Sequence, residues 1–282
     1  MKKHIREVMI DSRTRRYGLA AFSVHNAEMI DSVLSVSKEL SVPVLLQLGQ
    51  KALQHLDMAV QVSICREFEK LYSIPVYLHL DHSRNLEQIR RAIEIGFDSV
   101  MYDGSALPWE QNVENTKQVV AMAKPYNTVV EAEIGKIAGV EDDISVRESD
   151  AYLTSPEEAK DFVDATGVDW LAVSIGTAHG WYKDTPQLDY PRIEAIRSAV
   201  STPLVMHGGS GLSDQAFSDA IKAGISKINV DTELRRAFMG GLSDSLASGH
   251  AIEDLLYHFK LGRQSLTSLV REKLFVFGTQ KF

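Results

Sequence analysis

Short apolar runs recur along the chain, and after most of them the apolar positions return every three or four residues. The runs are GLAAFSV (18–24), PVLLQL (43–48), PVYLHL (75–80), DSVMYD (98–103), TVVEAEIG (128–135), DWLAVSIG (169–176), PLVMHGG (203–209) and SKINVD (226–231). The stretches with helical period include NAEMIDSVLSVSKEL (26–40), NLEQIRRAIEIG (85–96), ENTKQVVAMAK (114–124), SPEEAKDFVDATG (155–167) and SDQAFSDAIKAG (213–224). Several open on Asn or Ser and close on Gly, which is the cap chemistry of helix ends. The runs are apolar throughout rather than alternating, so the strands they predict are buried on both faces and parallel. Eight strand–helix units predict a (β/α)8 barrel, with a doubly wound open sheet as the alternative. No Pro/Gly/Ser-rich linker divides the chain, and 1–282 reads as a single domain. From about Gly249 the pattern changes, and AIEDLLYHFKLGRQSLTSLVREKLFVFG (251–278) predicts one or two helices beyond the barrel. This extension over 249–282 would pack under the barrel or against a partner subunit.

Composition narrows the partners. Hydrophobic content of 44% with 24% charged residues is that of an ordinary soluble globular protein. The net charge of −8 argues against nucleic acid, while local loops of an acidic chain still bind anionic metabolites. No apolar run is long enough to span a bilayer, and the basic start MKKHIREVMIDSRTRRYG lacks the apolar stretch of a signal peptide. The single cysteine, Cys65, excludes an internal disulfide framework, reads as a buried structural thiol, and fits the cytoplasm.

Barrels of this class gather their chemistry where the strands end. The third run closes on Asp81-His82, the fourth on Asp103-Gly104-Ser105, and the fifth carries Glu131 and Glu133, which face the same way by strand parity. The sixth leads into GTAHGWY with His179, the seventh into HGGSGL with His207, and the eighth ends in Asn229 and Asp231. Three histidines at equivalent strand ends with carboxylates nearby predict a divalent-metal site with an open position; zinc suits three imidazoles, with cobalt and manganese as alternatives. A lone histidine is more often a hydrogen-bonded packing residue, and that reading is applied to His25, His55 and His79; His4, His250 and His258 carry no functional signal. The glycines of HGGSGL can bring backbone N–H groups to an anion, or serve only as turn formers.

LHLDH, VMYDGS, VEAEIG with GVEDD, SIGTAHGWY, HGGSGL and KINVDTELRRAF, in this order, resemble the class II, metal-dependent ketose-bisphosphate aldolases that act on fructose and tagatose 1,6-bisphosphate. The resemblance implies His82, His179 and His207 as catalytic zinc ligands, Asp81 as the proton donor and acceptor, and Asp103 and Glu133 as a site for a second divalent or a monovalent cation. It implies Gly180, Gly208, Gly209 and Ser210, with Asn229, Val230, Asp231 and Thr232, as contacts to a dihydroxyacetone phosphate half. Glu141 matches a loop glutamate that moves a proton at the ketose carbon, and Arg235 an arginine that reaches the distal phosphate, often across a subunit boundary. It further implies a phosphosugar substrate, a zinc-stabilised enediolate, and a homodimer or homotetramer. The strand ends offer no Schiff-base lysine, in keeping with a metal route.

Three departures stand out. Ala138-Gly139 replaces the usual Gly-Gly before the loop glutamate, LQLGQKALQHL lacks a serine-containing turn at Gly49 (where Lys51 offers charge instead), and AFSVHN replaces an asparagine-rich segment. NVDTELR leans toward fructose 1,6-bisphosphate, whereas the length and GVEDD lean toward tagatose 1,6-bisphosphate. A non-catalytic phosphosugar-binding subunit would be expected to lose a ligand or Asp81, and a barrel hydrolase to carry an HxH pair on its first strand; neither pattern is present.

Overall fold

The computed structural model describes residues 2–141, 144–147, 151–181 and 186–279, with side chains at 140–146 set aside. Eight parallel strands close into a barrel: β1 (Leu19–Ser23), β2 (Val44–Leu48), β3 (Val76–Ser83), β4 (Ser99–Tyr102), β5 (Val129–Ile134), β8 (Trp170–Val173), β10 (Leu204–Met206) and β11 (Ile225–Val230). They correspond one for one to the eight apolar runs, and β1 pairs with β11 to close the ring. Three short strands, β6 (Ala138–Glu141), β7 (Ile144–Val146) and β9 (Ala178–His179), form a separate sheet in the order β7-β6-β9.

Helix ends follow the predicted chemistry. Asn26 caps α2 (Ala27–Leu40), Asn85 caps α5 (Leu86–Glu94) and Ser213 caps α9 (Asp214–Ala223), each through its side-chain oxygen. Ser155 and Glu158 form a reciprocal capping box on α7 (Pro156–Thr166), which ends at Gly167 with φ 67°.

The barrel interior changes character along its axis. Leu19, Ala21, Leu45, Tyr77, Val129, Trp170, Ala172 and Val205 fill the lower part, and Ile5, Val8 and Met9 of α1 (Ile5–Arg15) join this cluster. Thus α1 plugs the end from which the strands start. Two residues farther along the same inward rows the barrel becomes polar, with Gln47, His79, Glu131 and His207 all fully buried. Outward-facing residues such as Val100, Leu171 and Ile228 pack against the helices in a second, larger core, where Cys65 also lies. Burial pushes the Cys65 thiol up to about 12, so it is structural.

The C-terminal extension lies on the side of the barrel rather than under it. After α10 (Thr232–Ala247), α11 (Leu255–Val276) joins the outer ring between α10 and α2. Glycines allow the close approach to α10: a Cβ on Gly241 would stand 2.5 Å from the Leu261 carbonyl oxygen. Arg271 and Arg263 of α11 pair with Glu39 and Asp31 of α2.

Candidate active site

The backbone at His82 accounts for two adjacent residues of one strand reaching the same rim. His82 has φ 44°, and the β3–β4 register shifts between Leu80 and Ser83. A left-handed non-glycine residue is uncommon and costs on the order of 1–3 kcal/mol, which the surrounding fold must outweigh. Here it breaks the pleat, so that Asp81 and His82, 4% and 3% exposed, both turn to the open end.

Four buried side chains converge there. One ligand atom from each of His82, Glu133, His179 and His207 lies within 4.8 Å of the others. The rings meet edge to face, with centroids 4.6 Å apart for His82–His207 and 5.3 Å for His82–His179. Three imidazoles and a carboxylate make a donor set that suits zinc or a similar borderline divalent ion. The surrounding carboxylates orient the rings. His82 Nδ1 is 3.2 Å from Asp103 Oδ2, so its Nε2 is the nitrogen able to face an ion. Asp103, implied as a cation ligand, therefore stands behind His82 and outside the four-donor group; Ser105 donates to its other oxygen at 2.7 Å. Burial works against ionisation of Asp103, but His82, Ser105 and Arg84 outweigh it and hold the carboxyl below the usual range.

His207 lies between two carboxylates, with Nε2 2.9 Å from Glu131 Oε1 and Nδ1 3.1 Å from Glu133 Oε2. Burial alone would lower its pKa, but Glu131 and Glu133 prevail and raise it to about 9. A metal-free His207 is accordingly protonated at pH 7, and an ion must displace that proton. Because the folded-state pKa is raised, the proton stabilises the metal-free fold below about pH 6.5 and this contribution fades as pH rises through about 9. Zinc affinity should run the opposite way, strengthening with pH up to about 9, with about one proton released per ion at pH 7. Calorimetry in buffers of different ionisation enthalpy measures this release; none would contradict the arrangement.

Asp81 lies beside the donor group. Asn229 Nδ2 donates to its Oδ1 at 3.3 Å, His79 Nε2 is 3.8 Å from the same oxygen, and Gln50 Nε2 donates to its carbonyl at 3.1 Å. Gln50, at the start of α3 (Gln50–His55), was not anticipated from sequence. His79 is the packing residue expected: it is fully buried, its Nδ1 is 2.8 Å from Ser99 Oγ, and burial with the nearby Lys227 keeps it neutral.

The glycine turn after His207 meets the N-terminus of α10. Gly208 has φ 67°, and a Cβ there would stand 2.5 Å from the Ala178 carbonyl oxygen. Ser210 Oγ accepts from Glu233 N at 3.2 Å, tying turn and helix together. A helix N-terminus beside such a turn favours an anion. Gly180, with φ 92°, follows β9 directly, and Gly209 packs against the Asn229 carbonyl oxygen. The Val230 side chain lies in the outer core, so its main chain is the part available to the site. Asp231 accepts from His25 at 3.0 Å and binds Arg235 through both oxygens, at 3.0 and 2.6 Å. Arg235 also donates to Thr232 Oγ1, so within the chain it braces the segment at the start of α10.

Glu141 ends β6, and its side chain lies outside the described residues. The backbone of that strand is nonetheless tied to a candidate ligand, since β6 runs parallel to β9 with Gly139 opposite His179. Gly139 has φ 107°, and a Cβ there would stand 2.2 Å from the His179 carbonyl oxygen. Gly139→Ala should therefore displace the His179 strand. The backbone strain alone is on the order of 1–2 kcal/mol, and a roughly tenfold loss of zinc affinity is expected; wild-type affinity would show that the two strands are not coupled.

The family model described as "Fructose-bisphosphate aldolase class-II" matches residues 3–281. The chain is 46% identical over 264 residues to a sulfofructosephosphate aldolase of Alkalicoccus urumqiensis, covering 94% of this chain and 92% of that one. Its fold superposes on the YdjI aldolase of Escherichia coli K12 with a TM-score of 0.87, at 32% identity and with 99% and 98% of the two chains covered. A fructose-bisphosphate aldolase of Campylobacter jejuni shares the fold with a TM-score of 0.84 at 18% identity, covering 98% and 94%. No described helix is long and apolar enough to cross a membrane. From the matched family over nearly its full length, and from the buried His/Glu cluster at the rim of its barrel, this chain belongs to the class II fructose-bisphosphate aldolase family.

Proposed function

We propose that this lyase cleaves a ketose 1-phosphate between C3 and C4, giving dihydroxyacetone phosphate and a three-carbon aldehyde. The observation that carries the reading is Asp81, held by Asn229 beside the four convergent donors His82, Glu133, His179 and His207. A divalent ion held by these side chains, zinc in our reading, supplies Lewis-acid charge that stabilises negative charge developing on the ketose oxygens.

The chain's own residues do the rest. In the cleavage direction Asp81 takes the proton of the C4 hydroxyl, the C3–C4 electron pair moves toward C2, and the aldehyde forms at C4. In condensation Asp81 returns that proton to the new alkoxide. Glu141 is the candidate to deliver and remove the proton at C3. Gly180, Gly208, Gly209, Ser210 and the segment Asn229–Thr232 are the candidates to hold the C1 phosphate, supported by the turn glycines and the N-terminus of α10. A homodimer or homotetramer rests on the family resemblance alone.

The group at C6 separates two readings. Identity of 46% to a sulfofructosephosphate aldolase favours a sulfonated fructose phosphate. The NVDTELR segment favours fructose 1,6-bisphosphate, with tagatose 1,6-bisphosphate as its epimer. Release of dihydroxyacetone phosphate from the three substrates, measured in parallel, distinguishes them by kcat/KM. Cleavage of none would overturn the proposed activity.

A further inference from the structure

Beneath the rim, a buried polar chain ends on one of the candidate ligands. Ser99, His79, Lys227 and Glu131 come from β4, β3, β11 and β5, His207 directly follows β10, and all five are fully buried. Ser99 Oγ is 2.8 Å from His79 Nδ1, His79 Nε2 is 3.4 Å from Lys227 Nζ, and Lys227 donates to Glu131 Oε2 at 2.7 Å. Glu131 Oε1 then meets His207 Nε2 at 2.9 Å. An ammonium only donates, so His79 accepts at Nε2 and its Nδ1–H points to Ser99. Likewise Glu131, engaged by Lys227 on one oxygen, accepts the Nε2–H of His207 on the other. This leaves Nδ1 as the nitrogen of His207 that faces Glu133 and the other two rings. His82, bonded to Asp103 through Nδ1, presents the opposite nitrogen.

We propose that Glu131, anchored by Lys227, is a positioning residue that commits His207 to metal ligation through Nδ1 and holds its ring in place. The proposal rests on reading the rim cluster as a metal site. A carboxylate behind a ligating imidazole fixes its tautomer and orientation. A fully buried ion pair is weak evidence of stabilisation, since apolar residues of similar volume often do as well. The connection of this pair to His207 gives it a role that apolar residues could not fill.

Zinc affinity, measured by competition with a chromophoric chelator, tests this on wild-type protein, Glu131→Leu and the double variant Glu131→Leu/Lys227→Met, in which no acceptor is left for His207 Nε2. The double variant leaves no unpaired buried charge, so it keeps the test open if the single variant does not fold. Both are expected to bind zinc roughly 10–100-fold more weakly than wild type. A pair that merely filled the barrel would give a double variant with wild-type affinity, and that result overturns the proposal. Nitrogen NMR of the histidine rings in zinc-loaded wild-type protein needs no variant: His207 is expected to ligate through Nδ1 with Nε2 protonated, and ligation through Nε2 would also overturn it. Wild-type protein that bound no zinc would instead overturn the metal site itself, and the proposal with it.

Discussion

Asp81→Ala is expected to lower kcat for ketose-phosphate cleavage by about 10²–10⁴-fold while zinc content stays at the wild-type level. The magnitude is that of removing a positioned acid–base group from a proton transfer. Asp81 contributes no atom to the four-donor group, yet it lies at its edge, with Asn229 Nδ2 3.3 Å from its Oδ1. The substitution should therefore separate chemistry from metal binding. Asp81→Asn is the sharper variant, because it keeps the size and the contact to Asn229 while losing the ability to take a proton. Steady-state kinetics with metal analysis on the same preparation reads both quantities, and loss of zinc along with turnover would assign Asp81 to the ion rather than to the proton.

His179→Ala should have the converse effect, removing the metal and with it nearly all activity. Loss of a residue behind a ligand costs roughly 10–100-fold in metal affinity, and loss of a ligand should cost more than that. His179 is the informative choice among the three histidines because it enters from β9, outside the barrel, so its removal leaves the barrel pairing intact. Far-UV circular dichroism should remain that of wild type, with zinc affinity more than a hundredfold weaker; retained stoichiometric zinc would remove His179 from the donor set.

The barrel was legible because its signals are local. Eight apolar runs, the helical period between them, and caps such as Asn26, Asn85 and Ser155 each depend on a few neighbouring residues. His82 and His207 could be grouped because a parallel barrel brings all strand ends to one rim, and His179 joins them from β9, beyond the end of β8. What stayed hidden depends on pairings between distant segments or on backbone angles. The left-handed turn at His82 leaves no mark in the letters LDHS, although it lets Asp81 and His82 share a site. Asp103 faces the back of His82, and Arg235 grips Asp231 four residues away; neither geometry follows from strand parity or helical period. Glu131 and Lys227 lie 96 positions apart and meet only once the barrel has closed. In α1, apolar Ile5, Val8 and Met9 are interspersed with Arg6 and Glu7, so no continuous apolar segment marks the helix that plugs the barrel.

The central claim is that the His/Glu cluster holds a divalent ion on which aldol cleavage depends. The most direct measurement is cleavage activity and zinc content in one preparation, first stripped with a chelator and then titrated with zinc. Activity should disappear on stripping and return linearly, reaching its plateau at one zinc per chain. Activity that survived complete removal of the metal would contradict that dependence.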